Sequence, residues 1–197
     1  MEAFSSAADW TAWLEAEHAT SAGCWLKISK KTATRPSVSY DEALEVALCF
    51  GWIDGQKRAL DEHHWLQRFT PRKPGGRWSK INTAKADALI AAGRMRPAGQ
   101  SEVDAARADG RWDAAYAGQR ASTVPDDLRQ ALDDSPVAAA FFSSLSSVNR
   151  YAIIYRISSV KRAETRARKI AQYVQMLAEH KTIHPQPDKG SADVAST

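Results

Sequence analysis

Residues 51–82 constrain the fold most, because the segment GWIDGQKRALDEHHWLQRFTPRKPGGRWSKIN carries the clearest hairpin pattern of the chain. Apolar positions recur on both sides of Asp61-Glu62-His63, which predicts strands over 52–60 and 64–70 joined by a turn. A chain with such a hairpin needs further elements to cover its apolar face. The fold therefore has to be built around this hairpin.

Alternation along the second predicted strand assigns its side chains to two faces. If 64–70 is a strand, Trp65, Gln67 and Phe69 share one face, whereas Leu66 and Arg68 share the other. We expect Trp65, like Trp52 in the preceding strand, to be mainly buried and structural. Arg68 is expected to be solvated, ion-paired or available to an anion.

The same segment concentrates positive charge among aromatic side chains. It holds seven Lys or Arg against three Asp or Glu, together with three of the seven tryptophans. This excess of four equals the net charge of +4 carried by the whole chain of 197 residues. Guanidinium groups beside aromatic rings are typical of a site for an anionic, flat or phosphorylated ligand. A well-packed surface hairpin has the same composition.

We therefore predict an anion-binding site in this segment. Ser79 begins a predicted helix, where it is either a simple N-cap or part of an anion site made of free amides. We expect Asp54 to orient a guanidinium, and a general acid–base role is the alternative. The predicted ligand-binding residues are Trp52, Asp54, Arg58, Gln67, Arg68, Arg72, Trp78, Ser79 and Asn82.

Further signals predict the other elements. Residues 8–19 indicate a helix, and residues 25–29 alternate like a strand. The predicted helix starts are a capping box at Ser39 with Glu42, caps at Ser79 and Ser101, and first-turn prolines at 125 and 136. A strong helical run covers 148–180, bent or broken near Ser158-Ser159.

These elements predict an α+β fold. A small antiparallel sheet, made of strand 25–29 and hairpin 52–70, packs on helices and is followed by an all-helical C-terminal module. The predicted domains are an N-terminal α+β domain at 1–118 and a helical module at 119–181. Residues 182–197 are rich in Pro, Ser, Asp and Gly, which predicts a disordered tail.

The helical module carries its own basic stripe. Arg162, Arg166 and Lys169 fall on one face of a helix at spacings of four and three residues. Such a stripe can follow phosphates or meet an acidic partner, or it is a solvated helix face. The stripe and the aromatic rings of 51–82 together make nucleic-acid binding an alternative function.

Several classes of site are not indicated. Neither a cofactor motif nor His, Cys or carboxylate residues at metal-ligand spacing are found. Cys24 and Cys49 are expected to be buried, reduced thiols. No apolar run approaches the roughly 20 residues that cross a bilayer, and the first residues lack the basic and apolar regions of a signal peptide. We therefore expect a cytoplasmic protein that does not insert into membranes.

The chain resembles the bacterial YdeI/OmpD-associated (OmdA) family, also called bacteriocin-protection proteins. The resemblance rests on WLKISKK, SVSYDEALEVALCFGWIDGQ, LQRFTPR, WSKIN and GRMRPAG in the first half, and on VPDDLRQAL and KRAETRARKI in the second. It implies no assigned reaction and no catalytic residues. Its labels imply links to envelope stress, to resistance against cationic peptides and to an outer-membrane protein.

These observations favour a non-catalytic binding protein of the OmdA type. Its expected partner is an anionic small molecule or an acidic protein surface, bound through residues 52–82. Nucleic-acid binding is the first alternative. An enzyme with Asp54 as its acid–base group is the second.

Overall fold

The computed structural model describes residues 1–34, 37–118 and 122–186. The chain divides into two compact units, Met1–Tyr116 and Ala117–Thr197. The first unit contains α1 (Ala7–Glu17), β1 (Cys24–Ser29), α2 (Tyr40–Cys49), β2 (Trp52–Ala59), β3 (His64–Pro71), α3 (Lys80–Ala91) and α4 (Pro97–Ala108). The second contains α5 (Asp126–Asp133), α6 (Pro136–Ser144), α7 (Ser147–Ser158) and α8 (Ala163–Ala178).

The predicted α+β fold is confirmed. The three strands form an antiparallel sheet in the order β1-β3-β2, with the hairpin of β2 and β3 where the sequence predicts it. Because β3 lies in the centre, its backbone is paired on both sides. The C-terminal unit is built from helices in its described part.

A cluster of tryptophans covers the inner face of the sheet. Trp10 and Trp13 of α1 stack with their ring centroids 5.2 Å apart, and Trp52 of β2 meets both rings edge-on. Phe69 of β3 completes the cluster at 5.8 Å from Trp10. Trp52 is 1% exposed, and its indole N–H donates to the carbonyl oxygen of His18. This packing fixes one face of the sheet as interior.

Among the helix starts predicted in the first unit, two are confirmed and one is displaced. Ser39 forms the capping box with Glu42, and the side chain of Ser79 caps α3. The helix expected to begin at Ser101 instead begins at Pro97, whose ring favours the first helical position. Gly99 allows this early turn to pack against α2, because a Cβ there would lie 2.3 Å from the carbonyl oxygen of Cys49.

The break predicted near Ser158-Ser159 in the helical run over 148–180 is present. Ser158 is the last residue of α7, and α8 begins at Ala163. The hydroxyl of Ser159 donates to the carbonyl oxygen of Arg156, so the short polar side chain satisfies part of the helix end. None of the helices in the described residues has both the length and the apolar character needed to cross a membrane.

Residues 182–186 differ from the predicted disordered tail, whereas 187–197 lie outside the described residues. Asn149 of α7 is 1% exposed, and its Nδ2 donates at 3.0 Å to the His184 carbonyl and to Gln186 Oε1. The Asn149 Oδ1 accepts from the His184 amide at 2.8 Å. Ile183 packs against the core of the C-terminal unit. This short segment therefore belongs to the packed structure.

We expect Asn149→Ala to lower the free energy of unfolding by about 1–3 kcal/mol, since it removes the buried side chain that holds His184 and Gln186 through hydrogen bonds. Urea denaturation measures the change. The exposed Gln172→Ala on α8 is the control. Equal stability of the two variants would contradict a structural role for the segment after residue 181.

Candidate functional site

The sheet has an outer face that no tryptophan cluster covers. In β1, Cys24, Leu26 and Ile28 are buried, so the alternate residues Trp25 and Lys27 point to the opposite side. Antiparallel pairing places them beside β3, with Trp25 opposite Arg68 and Lys27 opposite Leu66. We call this surface the outer face; its residues are Trp25, Lys27, Ser29, Arg58, His64, Leu66 and Arg68.

A β-bulge brings Arg58 onto the outer face. The register pairs Asp54 with Phe69 and Lys57 with Gln67, so three steps along β2 face two steps along β3. Beyond this extra residue, Arg58 pairs with an outer-face position of β3. Strict alternation from Asp54 would instead have placed Arg58 on the inner face.

The bulge is supported from the interior by Gln67. This side chain is 3% exposed, and its Nε2 lies 3.0 Å from the Gly55 carbonyl oxygen and 3.3 Å from that of Gln56. It also lies 3.2 Å from the carbonyl oxygen of Arg68. Gln67 and the buried Trp52 were both predicted to contact a ligand. Their burial gives them positioning roles instead.

We expect Gln67→Leu to lower the free energy of unfolding by about 1–3 kcal/mol, because it removes the donor to the bulge carbonyls while keeping a similar volume. Urea denaturation gives the value, and the exposed Gln56→Ala is the control. Wild-type stability for Gln67→Leu would show that the amide does not support the bulge.

Two guanidinium groups lie against the ring of Trp25. The Cζ of Arg58 is 4.5 Å from the ring centroid, and the Cζ of Arg68 is 5.7 Å from it. Arg58 is exposed, and Arg68 makes one long hydrogen bond, 3.4 Å from Nη2 to the Ala22 carbonyl oxygen. Within the described residues, no carboxylate forms an ion pair with either group.

The outer face is positive because its strands contain a single carboxylate, which points inward. Asp54 pairs in register with the buried Phe69. Its Oδ2 accepts a hydrogen bond of 2.9 Å from the Tyr40 hydroxyl, so the expectation that Asp54 orients a guanidinium is corrected. Burial, together with the charge of Asp54, raises the pKa of Tyr40. Tyr40 is thus a stable donor to one oxygen of Asp54.

A pocket of about 480 Å³ adjoins one end of the outer face. His64 contributes to its wall and is oriented by Asp61, whose Oδ1 lies 2.9 Å from the imidazole Nδ1. The lining residues combine hydroxyl groups, imidazoles, one ammonium group and one aromatic ring: Ala3, Phe4, Ser5, Lys27, Ser29, Thr34, Ser37, His63 and His64.

Arg72 and Trp78 form a separate, buried pair. The Cζ of Arg72 lies 3.4 Å from the centroid of the Trp78 ring, and the two residues are 8% and 2% exposed. Burial lowers the pKa of Arg72 to about 10, which still leaves it charged at neutral pH. Arg72 Nε, Arg72 Nη2 and Trp78 Nε1 have no hydrogen-bond partner in the described part of the chain. Since Arg68 lies against Trp25, the two arginines have different surroundings.

The helix N-terminus at Ser79 uses its amides internally. The Asn82 amide donates to Ser79 Oγ at 3.2 Å, and the Lys80 amide donates to the Tyr116 carbonyl oxygen at 2.9 Å. The Thr83 amide donates to the Ser79 carbonyl oxygen. Ser79 therefore acts as the simple cap among the two alternatives, and the predicted anion contacts at Ser79 and Asn82 are replaced by hydrogen bonds within the protein.

In the C-terminal unit, one member of the basic stripe is a structural cross-link. Arg166 binds Asp127 of α5 through Nε at 2.5 Å and Nη2 at 2.9 Å, and its Nη1 donates to the Ile157 carbonyl oxygen of α7. Arg162 is the exposed N-cap residue of α8, and Lys169 is partly buried. The stripe thus loses its central cation to an ion pair.

A groove of about 720 Å³ between α5 and α8 has a mainly apolar lining, including Ala167, Ala171 and Val174. Its polar rim is already paired. Asp127 binds Arg166, and Asp134 accepts from Gln130. The groove therefore offers no unpaired cation for an anion among its described rim residues.

The Asp127–Arg166 pair has a predictable dependence on pH. The hydrogen bonds from Arg166 hold the pKa of Asp127 below its usual range. A carboxyl group with a lowered pKa in the folded state stabilises above its unfolded value of about 3.9, and this contribution disappears as the pH falls through the folded value. Arg166→Gln should therefore be less stable than wild type at pH 7, by about 1 kcal/mol or less for a partly exposed pair.

Urea denaturation at pH 7 and at about pH 3 measures this difference. The exposed Arg156→Gln, which removes the same charge without an ion pair, is the control. An equal difference between Arg166→Gln and wild type at both pH values would contradict the linkage.

The two cysteines and the potential metal ligands are the remaining candidate groups. Cys24 and Cys49 are free and buried, and burial raises the pKa of Cys24 to about 11. Among the described residues, no group of three or more His, Cys, Asp or Glu side chains is placed to hold a metal ion.

Sequence reasoning missed Trp25 and Lys27 as candidates. The segment Cys24–Ser29 alternates between buried and partly exposed residues, which is the signal that could have found them. Arg58 was predicted as a ligand contact, but its face could not be predicted, because the bulge changes the face on which Arg58 lies.

Comparisons with known families match the two halves of the chain to two different family models. The model of a domain of unknown function, DUF8412, matches residues 2–102. The model described as OmdA, "Bacteriocin-protection, YdeI or OmpD-Associated", matches residues 121–180, so the resemblance is confirmed for the second half. The motifs of the first half that suggested the same family fall largely within the DUF8412 match. No curated protein and no solved structure matches the chain.

Proposed function

Since the chain belongs to the DUF8412 family and carries an OmdA segment, and neither description names a reaction, we propose a binding function. The protein is a non-catalytic binding protein that takes an anionic ligand on the outer face of its N-terminal sheet. The single observation that carries this proposal is the pair of guanidinium groups of Arg58 and Arg68 beside Trp25.

The cations of the outer face lack the counter-charges that surface arginines often have. Arg94, Arg96 and Arg107 of the same unit each pair with a carboxylate at 3.2 Å or less. Arg58 and Arg68 have no such partner within the described ranges, and they lie where no carboxylate of the strands points. An anion placed there gains attraction without displacing an existing ion pair.

The ring of Trp25 favours a ligand that contains a planar group. An indole ring held between strands offers a flat apolar surface, and guanidinium planes stack on rings as well as binding oxygen atoms. A ligand with both a planar group and a negative charge uses both properties. A compact inorganic anion would use only the charge.

The proposal retains part of the predicted set. Arg58 and Arg68 remain as ligand contacts, and Trp25 and Lys27 join them. Trp52, Gln67 and Asp54 support the sheet from inside, and the other predicted residues lie elsewhere. A cytoplasmic location and a link to envelope stress stay predictions.

A ligand screen tests the proposal. Thermal-shift measurements with phosphate, nucleotides and acidic metabolites identify a stabilising anion, and titration gives its Kd. We expect Arg58→Gln and Arg68→Gln each to weaken binding about tenfold, because a charge-assisted hydrogen bond contributes roughly 1.5 kcal/mol or more. Arg68→Lys should restore only part of the affinity if two guanidinium N–H groups are used.

Arg156→Gln on α7 removes the same charge in the C-terminal unit and should bind as wild type does. If no anion stabilises the wild type at millimolar concentration, the proposed function is wrong. Equal loss of binding in Arg156→Gln and in the outer-face variants would also contradict it, since the effect would then follow net charge.

A further inference from the structure

The platform at Trp25 and the pocket beside Ser29 belong to one continuous surface. Trp25, Lys27 and Ser29 alternate with buried residues, so all three point to the outer face. Ser29 pairs in register with His64, and both line the pocket. At about 3.3 Å per residue, the four steps from Trp25 to Ser29 cover roughly 13 Å. Lys27 stands midway.

Resting on the proposed function, we propose that the ligand is a single-stranded nucleic acid. One base stacks at Trp25 and its two arginines, the phosphate backbone passes Lys27, and a nucleotide further along the same strand enters the pocket formed by Phe4, Ser29 and His64. The juxtaposition of a cation-flanked indole and a polar pocket along one strand carries this inference.

The chemistry of the two positions fits two nucleotides of one strand. Aromatic rings and guanidinium planes are the surfaces on which unpaired bases stack. The pocket volume of about 480 Å³ lies within the range of roughly 300–1,000 Å³ for small-ligand sites. Its hydroxyl and imidazole groups, such as Thr34 and His63, can donate to and accept from base edges.

The spacing favours a strand over a single nucleotide. Stacked nucleotides advance about 3.4 Å along a strand, so about four such steps separate platform and pocket, and an extended strand needs fewer. A mononucleotide can occupy one position only. The oligomer should therefore bind more tightly than its monomer.

A net charge of only +4 is compatible with a nucleic-acid ligand because positive charge is concentrated on the outer face. The chain as a whole carries +4, whereas the strands of the outer face contribute Lys27, Arg58 and Arg68 with no carboxylate pointing among them. Asp61, which orients His64, stands in the turn at the pocket end. The backbone path is thus defined by Lys27 and the two arginines.

Fluorescence anisotropy with labelled single strands of about ten nucleotides tests the inference, with DNA and RNA in separate arms. We expect Trp25→Ala to raise the Kd roughly fivefold to a hundredfold, and Trp25→Phe to keep most of the affinity. Lys27→Gln should reduce the slope of log K against log salt concentration by about 0.7. Arg156→Gln should bind normally, as the charge control.

A pocket variant tests the second position. Ala3 is exposed and lines the pocket, so Ala3→Leu fills space without removing a buried group. It should abolish the gain in affinity of the oligonucleotide over the mononucleotide, whereas Ala3→Ser should retain it. Circular dichroism shows that each variant is folded, and Arg58→Gln replaces Trp25→Ala if that variant is not.

The outcomes separate this inference from the proposed function. If a mononucleotide or a polyglutamate of matched charge binds as tightly as the single strand, or if Trp25→Ala leaves the Kd of the strand unchanged, the inference is overturned while anion binding stands. Preference for duplex over single strand also overturns it. Absence of binding to every anion overturns both.

Discussion

The surface of the N-terminal unit depends on one buried amide. The Nε2 of Gln67 donates hydrogen bonds to the backbone carbonyl oxygens of Gly55 and Gln56 at the bulge of β2. The bulge interrupts the regular pairing of the strands, so these carbonyls need another donor. Because the bulge adds one residue, everything after it in β2 changes face. The position of Arg58 beside Trp25 thus depends on a group that lies on the opposite side of the sheet.

The fold could be predicted largely because its signals are local. Alternation identified the hairpin and the separate strand, and the short polar caps at Ser39 and Ser79 marked helix starts. The displaced start of α4 shows the limit. Its position depends on Gly99 meeting the carbonyl oxygens at the end of α2, a contact between segments that no local pattern contains.

The candidate site was less predictable because arginines of similar sequence context have different surroundings. Arg58 and Arg68 lie on an open face, Arg72 is buried under a tryptophan ring, and Arg166 is bound to Asp127. The amino-acid composition does not distinguish between these arginines. Only long-range pairing decides which of them retains a free charge, and the same holds for Trp25 and Trp52, of which only the second is fully buried.

The segment at 182–186 changes what counts as the C-terminal module. The family match ends at residue 180, yet the partners of Asn149 lie beyond it, at His184 and Gln186. A piece of the gene cut at the limits of the match would encode a module with an open polar gap in its core. In gene fusion or shuffling, the portable unit therefore extends at least to residue 186.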